Sequence, residues 1–301
     1  MSEAVDGSRL FVFLGVLTAL VIGFMGVAQT LDLDLLTFGP VYMFTPMIAG
    51  IATCWYADIP LREVGLRWGH RRWIVIAAII WPPVTLLVAV ISLLIPGVQF
   101  DASIIVAETG VPAEPLWLIV GGIGLVFFMI LVGMTINAVF AFGEEFGWRG
   151  YLMWECAPLG FWKASILIGM LWGIWHAPLV VVGLNYPSYP YLGIALFTVV
   201  CIAMSPIYTY LVVKGGSVLP TTVLHGVVNA VGLTALAGTT DPLLRELVAS
   251  EGGLVGLIVF AMIWGVIAYR RTPRLDRSFA SPRTRSDTVR EHSLTTDQPA
   301  D

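Results

Sequence analysis

Apolar residues fill eight long stretches of the chain, and polar residues collect in the gaps. The stretches cover about 10–30, 38–57, 73–96, 116–142, 161–183, 191–213, 217–238 and 253–269. Each is near the ~20 residues that a helix needs to cross a bilayer. The first exceeds the ~7–15 apolar residues of a signal-peptide core, so it reads as a retained helix. The pattern predicts an all-α polytopic membrane protein of about eight transmembrane helices.

Charge sets the orientation. Only 12% of residues are charged, against ~25% in an average soluble domain, and mean hydropathy is +0.86. The net charge of −4 says little, because the signs are sorted by position. Loops 31–37 and 97–115 carry acids and no base, while segment 58–72 carries Arg62, Arg67, Arg71 and Arg72. With eight crossings, 15 of the 16 bases fall on one side, and Arg245 alone is misplaced. The positive-inside rule makes that side cytoplasmic, with both termini on it. Residues 1–270 then form a single membrane domain, and the polar run 271–301 is expected to be a disordered cytoplasmic tail. Cys54, Cys156 and Cys201 are far apart and odd in number, which gives no disulfide framework or metal motif. Membrane lipid is the implied partner, and no nucleic-acid interface is expected.

In such a protein the informative residues are polar ones inside the spans. His176 lies in "LWGIWHAP" of the fifth stretch, and His225 in "PTTVLHGVVNAV" of the seventh. His225 and Asn229 are i, i+4 and share a helix face, as do Trp172 and His176. Pro178 removes a backbone hydrogen bond just after His176, freeing a carbonyl that needs a partner. "EEFGWRG" follows the fourth stretch, with Glu145 and Arg149 spaced as a favourable i, i+4 pair. Placed at a helix C-terminus, Glu144 and Glu145 oppose the dipole and make a poor cap.

Each feature has a bland reading: a packing histidine, a helix-gluing pair, a solvated acidic end, an aromatic core residue. Together they can form one buried polar site. A carboxylate in an apolar pocket can act as a general base on water. Imidazole and carboxamide N–H groups can donate to an oxyanion. GxSxG and HExxH are absent, and no cysteine neighbours a histidine, so an acyl-enzyme nucleophile is not indicated. Two histidines and a glutamate would also suffice for a three-ligand zinc site. Carboxylate-held and metal-held water both stay open.

The motifs resemble those of the CAAX prenyl protease and bacteriocin-processing family, also called the abortive-infection family. Glu144, Glu145 and Arg149 match its EExxxR. Trp172 and His176 give WxxxH where FxxxH is usual, a change that keeps an aromatic, and His225 and Asn229 match HxxxN. The motifs come in the family's order, about 30 and about 50 residues apart, within residues 115–235. The resemblance implies an intramembrane endopeptidase, glutamate-dependent or metallo, acting on membrane-associated or prenylated protein substrates in a prokaryotic plasma membrane. It implies that Glu144 is the base and that His176 shares its water. His225 and Asn229 would form the oxyanion site, with Glu145, Arg149 and Trp172 in support. If zinc is bound, Glu144, His176 and His225 are the implied ligands. The competing readings are a non-catalytic scaffold or immunity protein of the same fold and a small transporter. A transporter would show two related halves with broken helices, and the sequence has no such symmetry.

The site is expected in a cavity opening to the cytoplasm. One count strains that picture. At ~1.5 Å per residue, His225 lies ~12 Å and His176 ~15–20 Å from the cytoplasmic face, deeper than a Glu144 at the helix end. An inward dip of 150–160, or a fifth helix starting nearer Ala164, would relieve it.

Overall fold

The computed structural model describes residues 4–280. A helix lies within each apolar stretch: α1 (Gly7–Thr30), α2 (Thr45–Tyr56), α3 (Arg71–Ser92), α4 (Pro115–Leu159), α5 (Phe161–Trp175), α6 (Pro190–Gly215), α7 (Leu219–Val228) and α8 (Leu254–Tyr269). Among the described residues, the only sheet pairs Gln99–Phe100 with Ala237–Gly238. By length and apolarity five helical runs can cross a membrane: α1, α3, α4, α6 and Leu219–Leu236, which α7 begins. The helices α2, α5 and α8 are shorter, at 12, 15 and 16 residues. Leu116, Ile119, Ile123, Phe127 and Phe128 leave the first half of α4 exposed and apolar, a face suited to lipid. This is an integral membrane protein.

The connecting segments gather at two ends. At the base-rich end the His70 N–H donates to Gly215 O (2.8 Å) and the Val218 N–H to Gly65 O (3.1 Å). There the buried Glu155 also accepts from Arg9 Nε (2.6 Å) and Arg277 Nη2 (2.7 Å). At the base-poor end the Asp101 N–H donates to Leu236 O (2.9 Å). The Ser188 hydroxyl donates to Glu246 (2.7 Å), and Tyr186 Oη–H to Gly252 O (2.6 Å).

Two expectations are corrected. In segment 143–160 the two carboxylates do not end a helix, because α4 runs on past them to Leu159. Its glycines look like breakers but serve contact. A Cβ on Gly143 would lie 2.7 Å from Met43 O, and one on Gly147 would collide with Pro46, so both let α4 rest on the start of α2. The helix widens into π turns at Gly133–Asn137 and Phe146–Leu152, and the chain reverses only at Gly160, where φ is +77°. The second correction concerns the tail. Residues 281–301 lie outside the described residues, but within 271–280 Leu275, Phe279 and Ala280 are buried. Three apolar side chains and the Arg277–Glu155 pair hold a segment that reads as polar by composition.

Close backbone approach recurs where α4 crosses α7. A Cβ on Gly226 would collide with Gly133 O and lie 2.8 Å from Ala138 N. Backbone cannot yield as a side chain can, so Gly226→Ala should cost about 3 kcal/mol or more. Gly124→Ala, on the lipid-facing part of α4 with nothing within 4 Å, should stay within about 0.5 kcal/mol of wild type. Thermal unfolding in detergent checks both, and equal effects would show that the crossing is not tight.

Candidate active site

The hairpin of α4 and α5 sets the site level. Glu144 and His176 each stand sixteen positions from Gly160 (160 − 144 and 176 − 160), so antiparallel packing brings them side by side. The depth conflict therefore disappears, because both carboxylates sit inside a continuing helix and not at its end. Glu144 is 1% exposed and Glu145 is fully buried.

A local break in α5 orients His176. The helix ends at Trp175, and Pro178 opens the short helix Ala177–Val181. The His176 N–H turns to Gly173 O (3.1 Å), which leaves Trp172 O without its usual i+4 backbone donor. His176 Nδ1 lies 2.8 Å from that carbonyl. A carbonyl only accepts, so Nδ1 carries the proton and Nε2 keeps its lone pair. Nε2 lies 3.9 Å from Glu144 Oε2, beyond a direct hydrogen bond and within reach of a shared water.

The two carboxylates divide. Glu144 Oε2 accepts from the Trp172 indole N–H (2.6 Å). Glu145 Oε1 accepts from Arg149 Nη1 (3.0 Å) and from His225 Nδ1 (2.8 Å), while Oε2 accepts from the Thr221 hydroxyl (3.1 Å). The Glu145–Arg149 pair is the one that i, i+4 spacing predicts. Arg149 is fully buried, with its guanidinium carbon 4.2 Å from the Trp172 ring centre and 4.6 Å from that of Tyr208. It therefore lies in the core, not on a substrate-facing wall. Trp172 stands between the two imidazoles, 5.6 Å centre to centre from each. Reading position 172 as a simple aromatic replacement misses its N–H, which phenylalanine lacks.

Glu144, Trp172, His176, His225 and Asn229 line one cavity of about 640 Å³. Asn229 caps the C-terminus of α7, exposed, one turn beyond His225. Sequence reasoning missed Tyr208, whose buried ring lies on the cavity wall and whose hydroxyl has no hydrogen-bond partner among the described residues. It also missed Thr221, which the i, i+4 spacing to His225 could have flagged. The apolar wall includes Met43, Phe197, Val200 and Met204.

The expected opening toward the base-rich end is not what the lining shows. Leu36, Asn185, Pro187, Arg245, Glu246 and Glu251 border the cavity, all from base-poor segments, and no residue of 58–72, 146–163 or 214–218 does. The continued α4 fills the other end.

A zinc ion would need Glu144, His176 and His225 to converge on one point. His176 and His225 each turn Nδ1 to a protein acceptor and leave Nε2 open, as metal-ligating histidines do, so the spacing of the three groups decides. Among the described residues, no three His, Cys, Asp or Glu side chains are grouped to hold a metal ion. As placed, the residues do not fit a three-ligand site.

Residues 122–231, from α4 through α7, match the family described as Type II CAAX prenyl endopeptidase Rce1-like. Over that segment the chain is similar to the CAAX prenyl protease and bacteriocin-processing family. The Rce1-like segment holds every motif residue from Glu144 to Asn229. A curated relative, CAAX prenyl protease 2 of Methanococcus maripaludis, is 39% identical over 62 residues. That match covers 20% of this chain, and the chain spans only a fifth of the relative's length (20%).

The division of the carboxylates has a stability consequence. Arg149→Ala leaves the buried Glu145 without its guanidinium and empties the gap between two rings, so it should cost about 3–5 kcal/mol. Glu144→Gln retains an oxygen that can accept from Trp172 and should unfold within about 2 °C of wild type, at 2–4 °C per kcal/mol for a chain near this size. Thermal unfolding in detergent reads both. An Arg149→Ala protein as stable as wild type would contradict the assignment.

Proposed function

We propose that this protein is an intramembrane endopeptidase that hydrolyses peptide bonds of membrane-associated protein substrates. In this reading it crosses a prokaryotic plasma membrane eight times, with residues 1–270 as one membrane domain and both termini cytoplasmic. The distribution of bases supports that orientation. The observation that carries the activity is the buried Glu144 carboxylate on a cavity wall, 3.9 Å from the unprotonated nitrogen of His176. The relative's name adds prenylated peptides to the substrate class.

The mechanism uses the chain's own groups. A water held between Glu144 and His176 Nε2 gives a proton to Glu144, and its oxygen attacks the scissile carbonyl carbon. The oxyanion receives hydrogen bonds from the Asn229 carboxamide and from His225 Nε2–H when that ring carries both protons. Collapse breaks the C–N bond, and Glu144 returns its proton to the leaving amine. Glu145 is a positioning residue: with Arg149 and Thr221 it fixes the His225 ring. Trp172 is another, holding the Glu144 carboxylate toward His176.

Membrane-protein termini in cells carrying wild type or Glu144→Ala test the activity. New termini should appear only with Glu144 present, and their absence would leave the scaffold reading in place. In a purified assay Glu144→Gln should abolish turnover. Trp172→Phe keeps the ring bulk but loses a hydrogen bond to a charged acceptor, worth about 1.5–3 kcal/mol. It should lower kcat ~10–100-fold with KM nearly unchanged. A change confined to KM would place Trp172 in substrate binding instead.

A further inference from the structure

We infer that the catalytic cavity opens on the non-cytoplasmic face, and that its substrate is the outward juxtamembrane segment of a membrane-anchored protein. This deepens the protease reading and rests on it for the substrate; the direction of opening stands on geometry and charge. Three observations converge.

The first is the mouth. Exposed residues that border the cavity, Leu36, Asn185 and Pro187, come from segments without a base, and Arg245 is the single base among the base-poor segments. The second is the opposite end. Beyond Glu144, the side chains of Trp148, Arg149, Tyr151, Leu152, Met153 and Trp154 are each at most 1% exposed, so about two turns of fully packed helix separate the site from the base-rich end. Exposure along α7 runs the same way: Pro220 to Val227 are buried, and Asn229, the next turn toward the base-poor end, is exposed. The third is charge. With 15 of 16 bases at the closed end, the positive-inside rule puts that end in the cytoplasm and the mouth outside. A peptide tail free in the cytoplasm would then have no direct path to Glu144. An outward segment held at the membrane surface would, with its apolar side chains against Met43, Phe197 and Met204.

The test is sided cysteine labelling of the full chain in native membranes, with Cys54, Cys156 and Cys201 replaced by alanine. Asn185→Cys at the mouth and Val228→Cys on the cavity wall should react with a charged, impermeant thiosulfonate in intact spheroplasts. Arg62→Cys should react only in inverted vesicles. Reaction of Val228→Cys only in inverted vesicles would overturn the opening, whichever side Asn185→Cys faces. Labelling needs no turnover, so the two readings fail separately. An outward mouth with no Glu144-dependent termini would sink the protease reading and leave the orientation standing. Glu144-dependent cleavage confined to cytoplasmic segments would sink the substrate proposed here and leave the protease.

Discussion

The site depends on how a guanidinium is held inside the core. Burying an ion costs several kcal/mol even after relaxation, and Arg149 has no exposed surface. Glu145 offsets that cost from one side, and the faces of Trp172 and Tyr208 offset it from two others. Those partners come from α4, α5 and α6. Glu145 then reaches His225 and Thr221 on α7. One buried charge thus ties together four of the helices that line the cavity. Removing either Glu145 or Arg149 leaves an uncompensated ion, which gives these helices a strong reason to keep one arrangement.

The second constraint is the length of α4. A helix ending at Glu145 would expose both acids at a membrane surface, where each finds water easily and neither needs His176. By running on to Leu159 before turning at Gly160, α4 draws the acids inward and gives α5 a runway of equal length back to His176. The π turn over Phe146–Leu152 lies just after them. Such widened turns are frequent at functional sites, because they shift which side chains share a face.

Much of this was legible in the letters. The eight apolar stretches each hold a helix, the i, i+4 rule pairs Glu145 with Arg149, and Glu144, Trp172, His176, His225 and Asn229, drawn from all three motifs, line one cavity. Other features were not legible, for physical reasons. The two acids read as a helix end because charge follows the apolar run there, whereas α4 continues and uses Gly143 and Gly147 for contact with α2. Trp172 reads as packing because most aromatic stripes are core; nothing local says that its N–H points at a carboxylate. The burial of Leu275 and Phe279 depends on partners far away in sequence, so polar composition concealed it. The direction of the cavity and the continuation of α4 escape the letters for one reason: charge does not always mark a membrane surface.

Two adjacent carboxylates need not share a job, and helical geometry argues that they should not. At 3.6 residues per turn, neighbours project about 100° apart. Glu144 therefore looks toward α5 and Glu145 toward α7, where each meets a different imidazole. Glu145 is consumed by three donors and has little freedom to move a proton. Glu144 accepts one indole N–H at Oε2 and otherwise borders the cavity. A base must be both held and accessible, and only the first of the pair is. The order of the letters then matters: exchanging the roles would require α5 and α7 to exchange places around α4. The connectivity through Gly160 forbids that exchange, because it fixes α5 as the neighbour level with position 144.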